Sequence, residues 1–248
     1  MPNLNRFTSP LWDLDTFHVF NDFEKDQVDT DWVDTVTDSG TVAINDTPSG
    51  VAVLTPSDGT VADNDEVYFA TANELFKYLA NRPLYFRCRL QFAETTAGVY
   101  NVAAGFMNAV GANAIIDDGG GPKVSGSTAV IYKIDGEQVW RFATSVNGVS
   151  TVTKSTKSST KATSVGDGWQ ELEIILHPGD GLSYTASAKV DGEYLKDANG
   201  VRIIHNVPFA SATEMQAFVG AKLGAATNND VLNVDYVYAA QRRASLVP

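Results

Sequence analysis

The sequence predicts an all-β, two-sheet antiparallel sandwich, and three observations carry that expectation. Apolar residues recur at every second position in short runs, Gly-containing turn dipeptides separate those runs, and the 248-residue chain is 44% apolar, enough for one large undivided core. Half-buried antiparallel strands produce the first two features, because their side chains alternate between faces and their tight reversals need backbone with positive φ.

Residues 1–22 read as an extended N-terminal arm. Phe7, Leu11, Trp12, Leu14, Phe17, Val19 and Phe20 stand among polar residues in no clean period. Such a segment cannot bury itself. It lies either as a terminal strand on its own domain or across a neighbouring subunit, with Leu11, Trp12, Phe17 and Phe20 as the contacts. The sandwich domain is expected over residues 23–240, and a C-terminal tail over 241–248.

One short helix is expected over residues 74–80, where Asn73 caps, Leu75 and Leu79 share a face, and Pro83 terminates. The clearest strand follows. Leu84, Phe86, Cys88, Leu90 and Phe92 fall on one face, and Tyr85, Arg87, Arg89 and Gln91 on the other. Residues 129–154 read as a three-stranded meander turning at Asp135-Gly136 and Asn147-Gly148. Residues 169–177 place Leu172, Ile174 and Leu176 inward, and residues 184–190 do the same with Tyr184, Ala186, Ala188 and Val190 before the turn Asp191-Gly192. Near the end, Leu232, Val234, Tyr236 and Tyr238 alternate with Asn233, Asp235 and Val237. So many strands with one helical turn close as two packed sheets, a sandwich of the jelly-roll type.

Charge narrows the function classes. With 18 basic against 30 acidic residues the net charge is −12, which opposes a sequence-independent grip on nucleic acid or on an anionic membrane. Met1 to Pro10 carries no apolar segment of signal-peptide length, and no run approaches a membrane span of about 20 residues, so synthesis in a cytoplasm is expected. The single Cys88 sits on an apolar strand face and reads as a small hydrophobe.

No constellation points to catalysis. Glu171 and Glu173 project the same way on one strand, about 6.6 Å apart by two strand rises, but they alternate with core positions and read as a solvated pair. His18, His177 and His205 stand apart from one another, and no Gly-x-Ser-x-Gly elbow occurs. Gly121 to Ser127 mimics a phosphate loop but has Ser127 where Lys is required; Asp117 to Pro122 reads instead as a long, mobile surface loop. Acidic residues at Asp22, Asp63, Asp65, Asp117, Asp118 and Asp235 form no Asp-x-Asp-x-Asp-Gly loop. The Ser/Thr-rich stretch from Val152 to Gly168, with Lys154, Lys157 and Lys161, reads as a hairpin tip able to dock on an acidic neighbour. No cofactor is expected.

The order Gly168-Trp169-Gln170-Glu171-Leu172-Glu173-Ile174, Ala188-Lys189-Val190-Asp191-Gly192 and the final strand from Leu232 to Tyr238 resembles concanavalin-A-like or laminin-G-like sandwiches. That resemblance implies the jelly roll, and it leaves two readings of Asp22 with Asp235: simple solvation, which is favoured, or a structural calcium between the first and last strands, as sandwiches of this type often carry. The Glu-x-Asp-x-Glu strand of retaining glycosidases of this architecture is missing from the sequence. Segments within Asp117 to Ser150 are similar to capsid-associated sandwich proteins of tailed phages. This narrower resemblance implies a non-enzymatic virion structural protein on the capsid surface: a decoration or cement subunit that contacts the major capsid protein, as a homo-oligomer with a trimer favoured. The alternative is a carbohydrate-binding module of a tail or surface protein, with Tyr68, Tyr85, Tyr100 or Trp140 stacking on sugar. Of these Tyr85 lies on the polar side of its strand and serves either a glycan or a subunit contact.

Overall fold

The computed structural model describes residues 16–24, 30–37, 39–45, 50–160, 168–178 and 183–243. From the N-terminal side the strands are β1 (Thr16–Asn21), β2 (Trp32–Thr37), β3 (Ser39–Asn45), β4 (Val51–Ser57), β5 (Glu66–Thr71), β6 (Phe76–Lys77), β7 (Leu84–Phe92), β8 (Tyr100–Met107), β9 (Ile115–Ile116) and β10 (Gly121–Pro122). They continue with β11 (Thr128–Lys133), β12 (Val139–Val146), β13 (Val149–Ser158), β14 (Gln170–Pro178), β15 (Ser183–Val190), β16 (Glu193–Tyr194), β17 (His205–Pro208), β18 (Glu214–Leu223) and β19 (Leu232–Arg242).

Two antiparallel sheets pack face to face. The nine-stranded sheet runs β16-β15-β14-β7-β19-β4-β3, with β1 beside β19 and β17 beside β15; the eight-stranded sheet runs β13-β12-β11-β8-β18-β5-β2, with β6 beside β18. The period of two explains the layering. Where Cys88 pairs with Leu172 and Phe86 with Ile174, both strands turn the same alternate residues inward. Phe86, Leu90, Leu172 and Ile174 meet Phe106, Ile131, Phe142 and Val219 in one fully buried core. Phe86 and Phe106 bridge the sheets at 5.6 Å between ring centroids. Each such side chain removed from water contributes about 1.5–3 kcal/mol.

The helix expected over residues 74–80 does not form. Phe76 and Tyr78 are the buried side chains there, an alternation of two that a helix would place on opposite flanks, whereas Leu75 is exposed. Phe76 pairs with Met215 of β18, and the Tyr78 hydroxyl donates to the Thr128 carbonyl at 2.6 Å. Tertiary partners thus override a weak capping signal.

The expected boundaries move as well. β1 lies antiparallel to β19, with Phe20 opposite Tyr238, so residues 16–21 belong to the sandwich itself. Gln241, expected in a tail, is buried in β19 and bonds both the amide and the carbonyl of Lys77. The meander β11-β12-β13 is present, with Asn147 and Gly148 at φ 49° and 82° in its second turn. Its first connection is longer than two residues, because β11 ends at Lys133 and β12 begins at Val139.

The outer face of the eight-stranded sheet is covered by the chain itself. Ala114 and Ile115 pack on Tyr68, Ala70, Ala103, Val130, Ala143 and Phe218 in a second buried apolar cluster. Gly121 and Pro122, expected in a loose loop, are buried and paired with β9. Lys222 of β18 locks this covering segment down. Its ammonium donates to Asn113 Oδ1 at 2.7 Å, to the Ile115 carbonyl at 3.1 Å and to the Asp117 carboxylate, and lies 3.3 Å from Glu66.

Candidate functional site

The outer face of the nine-stranded sheet carries the exposed chemistry, and three strands build most of it. β7 turns Tyr85, Arg87, Arg89 and Gln91 outward, while its alternate residues enter the core. β14 contributes Glu171 and Glu173, and β1 contributes His18 and Phe20, the exposed residues of its alternation.

β19 supplies the decisive step. A register shift between Val234 and Tyr236 on the β7 side marks a β-bulge at Asp235. Before it, Leu232 and Val234 face the core; after it, Val237 is fully buried and Tyr236 and Tyr238 are turned out. A bulge inserts one residue and exchanges the faces of everything beyond it. The unbroken alternation read from the sequence therefore put both tyrosines beside the inward Leu232 and Val234, and the structure corrects this.

The result is a continuous aromatic cluster. Phe20 lies 6.3 Å from Tyr238 and 6.4 Å from Tyr236 between ring centroids, His18 stacks on Tyr238 at 6.0 Å, and Tyr85 lies 6.0 Å from Tyr238. Ionic groups frame it. Arg87 pairs with Glu171, Arg89 with Asp235 at 2.7 Å, and Lys189 stands 3.8 Å from Glu173. The Tyr236 hydroxyl donates to Glu171 and the Tyr85 hydroxyl to Glu173, each at 2.8 Å. Partial burial, then these carboxylates, push both phenols well above the usual tyrosine range, so both remain proton donors. Arg89 also lies over the Trp169 ring at 4.9 Å.

Glu171 and Glu173 are therefore ion-pair and hydrogen-bond acceptors on a crowded surface. A glycosidase pair flanks a cleft that holds the scissile bond; these two instead bond Arg87, Tyr236 and Tyr85 across the flat of the sheet.

A shallow pocket of ≈ 370 Å³ adjoins this face, where β7 and β19 meet the loops at one end of the sandwich. It is lined by Gln91, Ala93, Thr95, Asn229, Asp230, Val231 and Asn233. Asp230 accepts from the Thr95 amide at 3.1 Å and hydroxyl at 2.7 Å, and Asn233 donates to Gln91 at 3.2 Å.

The expected site residues separate. Phe20, Tyr85 and Asp235 come together on the outer face, whereas Phe17 turns inward against Phe76 at 5.7 Å. Leu11 and Trp12 lie outside the described residues. Tyr68, Tyr100 and Trp140, considered for sugar stacking, are fully buried. The sequence reads Tyr236 and Tyr238 on the inward face and His18 as an isolated histidine, none as a contact, and the bulge that exposes the tyrosines has no composition signal beyond one acidic residue in an apolar strand.

The Asp22–Asp235 calcium expectation does not fit. Asp235 is engaged by Arg89, and no cluster of three or more His, Cys, Asp or Glu side chains suited to a metal occurs among the described residues; calcium takes six to eight oxygens. Lys154 and Lys157, expected to dock on an acidic neighbour, pair internally with Glu137 at 2.9 Å and Glu193 at 2.8 Å. Lys161 lies outside the described residues.

Comparison with solved structures places this architecture. An endo-1,3-beta-glucanase from Streptomyces sioyaensis aligns with a TM-score of 0.56 at 16% identity, over 92% of this chain and 97% of that one. The Emp47p carbohydrate recognition domain aligns with a TM-score of 0.56 at 10% identity, over 92% and 95%. The fold is a concanavalin-A-like jelly roll. Lectin II from Ulex europaeus aligns likewise, with a TM-score of 0.52 at 13% identity, over 91% and 98%. At such identities the likeness establishes architecture alone. No protein-family model matches the chain, and no curated protein matches it.

Proposed function

We propose that this jelly roll is a non-enzymatic structural protein of a tailed-phage virion, a capsid decoration subunit that holds the major capsid protein through the outer face of its nine-stranded sheet. One observation carries the reading: the bulge at Asp235 turns Tyr236 and Tyr238 out beside Phe20, Tyr85 and His18. An aromatic centre ringed by arginine–carboxylate pairs is the composition of a protein-binding hot spot, with Tyr and Arg enriched and the charged groups at the rim. The internally bonded Glu171 and Glu173 favour adhesion over hydrolysis.

The test is co-sedimentation of the full chain with capsids assembled from the major capsid protein of its own genome. The native chain should travel with the particles, and the Phe20→Ala, Tyr238→Ala double variant should bind at least about tenfold more weakly. A native chain that stays at the top of the gradient defeats the proposal.

A second reading, a carbohydrate-binding module, is favoured by the polar pocket beside the aromatic cluster. Asn229, Asp230, Asn233 and Gln91 suit sugar hydroxyls. Binding on a glycan array that is lost on Asp230→Ala, with no capsid binding, selects it.

A further inference from the structure

β13 is the longest of the edge strands, ten residues against seven in β3 and six each in β1 and β2. The other long edges are sheltered or charged: β2 and β3 lie against each other where the chain steps between sheets, and β2 carries Asp34. The first four residues of β13, Val149, Ser150, Thr151 and Val152, are all exposed, Val149 at 79%. Natural sheets guard such edges with lysine, proline or a bulge. In β13 the guards begin at Lys154 and continue through Lys157, a register shift and the Thr156 amide bonded to the Lys196 carbonyl at 3.0 Å, and none stands between Val149 and Thr153.

Register fixes which backbone groups are free. The two-residue turn at Asn147-Gly148 makes Val146 and Val149 a hydrogen-bonded pair, and bonded pairs then alternate along the ladder. The N–H and C=O of Ser150, Val152 and Lys154 consequently point away from β12, and no described residue bonds them.

We infer that β13 pairs antiparallel with β13 of a second copy of this chain, about a twofold axis through Val152. In that register Val152 faces its own copy and Ser150 faces Lys154, so every outward backbone group of this stretch gains a partner and both members of each pair fall on the same side of the sheet. Charge selects the occupant. The chain carries −12, yet the charged groups beside this edge are near balance, three cations to two carboxylates: Lys154 and Arg141 share Glu137, and Lys157 pairs with Glu193. The edge is thus a place where two acidic copies meet with their net negative charge held away from the joint. A twofold joint of this kind continues the eight-stranded sheet across both copies and leaves the aromatic face open. It replaces the threefold arrangement that the phage resemblance implies, and it stands independently of what the aromatic face binds.

The full chain tests this by sedimentation equilibrium at micromolar to submillimolar concentration. The native protein should show twice the chain mass, and Val152→Pro should halve it. Proline removes only an outward N–H, which an edge strand tolerates; Val152→Lys, which places two like charges on the axis, serves if the proline variant does not fold. Val152→Cys should cross-link two copies under mild oxidation whereas Ser150→Cys should not, Cys88 being buried and out of reach. A native monomer throughout overturns the inference. So does a dimer that survives both Val152 variants, or one dissociated by Phe20→Ala with Tyr238→Ala instead.

Discussion

The two sheets present opposite outer faces. The eight-stranded sheet hides its face beneath residues of the segment 108–124, sealed by Ile115, by the buried Lys222–Glu66 contact and by the bond from Lys222 to the half-exposed Asp117. Among the described residues nothing covers the face of the nine-stranded sheet, and its aromatic rings and ion pairs are half exposed. The same alternation builds both, so burial of one face is set by loop length and by a buried cation, while no described segment lies over the other. Dry polar groups on the sealed side are worth a great deal when broken; wet ones on the open side are worth little by themselves.

That contrast orders the expected effects. Lys222→Ala breaks the seal most severely: it strands the buried Glu66 carboxylate without its cation, and unfolding free energy should fall by about 3–5 kcal/mol, measured by urea denaturation. Faster amide exchange in residues 108–124 should accompany it. A loss as small as that of an exposed pair would erase the distinction between the faces.

Acid should act next, and between the two sheets. His205 of β17, in the nine-stranded sheet, is buried against Thr144 and Thr153 of the eight-stranded one, 3.0 Å from each hydroxyl, and stacked on Phe142. Burial pushes its pKa down to about 4. The unfolded chain takes up this proton near pH 6.5, whereas the folded chain resists until about pH 4. Stability should therefore be complete above pH 6.5, decline as pH falls through this window, and level off below it with respect to this group. Stability measured against pH should show that slope, and His205→Asn should flatten it.

The smallest change belongs to the open face. Arg87→Ala removes the pair with Glu171, whose side chains are 39% and 24% exposed, and should cost no more than about 1 kcal/mol. A thermal melt displaced as far as that of Lys222→Ala would mean the open face is structural after all.

Much of this was legible in the sequence, for reasons particular residues make plain. β7 reads correctly because Phe86, Cys88 and Leu90 alternate without interruption between two antiparallel neighbours. The 74–80 segment misleads because Asn73, Leu75 and Pro83 satisfy a local helix grammar, while the partners that decide it, Met215 and Thr128, are far away in the chain. The open face was half visible. Tyr85 shows itself by alternation, but Tyr236 and Tyr238 do not, since a single extra residue at Asp235 reverses their faces. The covering segment looked loose because Gly119, Gly120 and Gly121 suggest freedom, and nothing local reveals the distant Lys222 that pins Asp117.

The most direct measurement compares the two faces in one binding experiment: capsid co-sedimentation of the Phe20→Ala, Tyr238→Ala variant against Ile116→Ala, an exposed residue of the covering segment. Binding should fall at least about tenfold for the first and stay unchanged for the second. Retention by the aromatic variant together with loss by Ile116→Ala would place recognition on the sealed sheet and contradict this account.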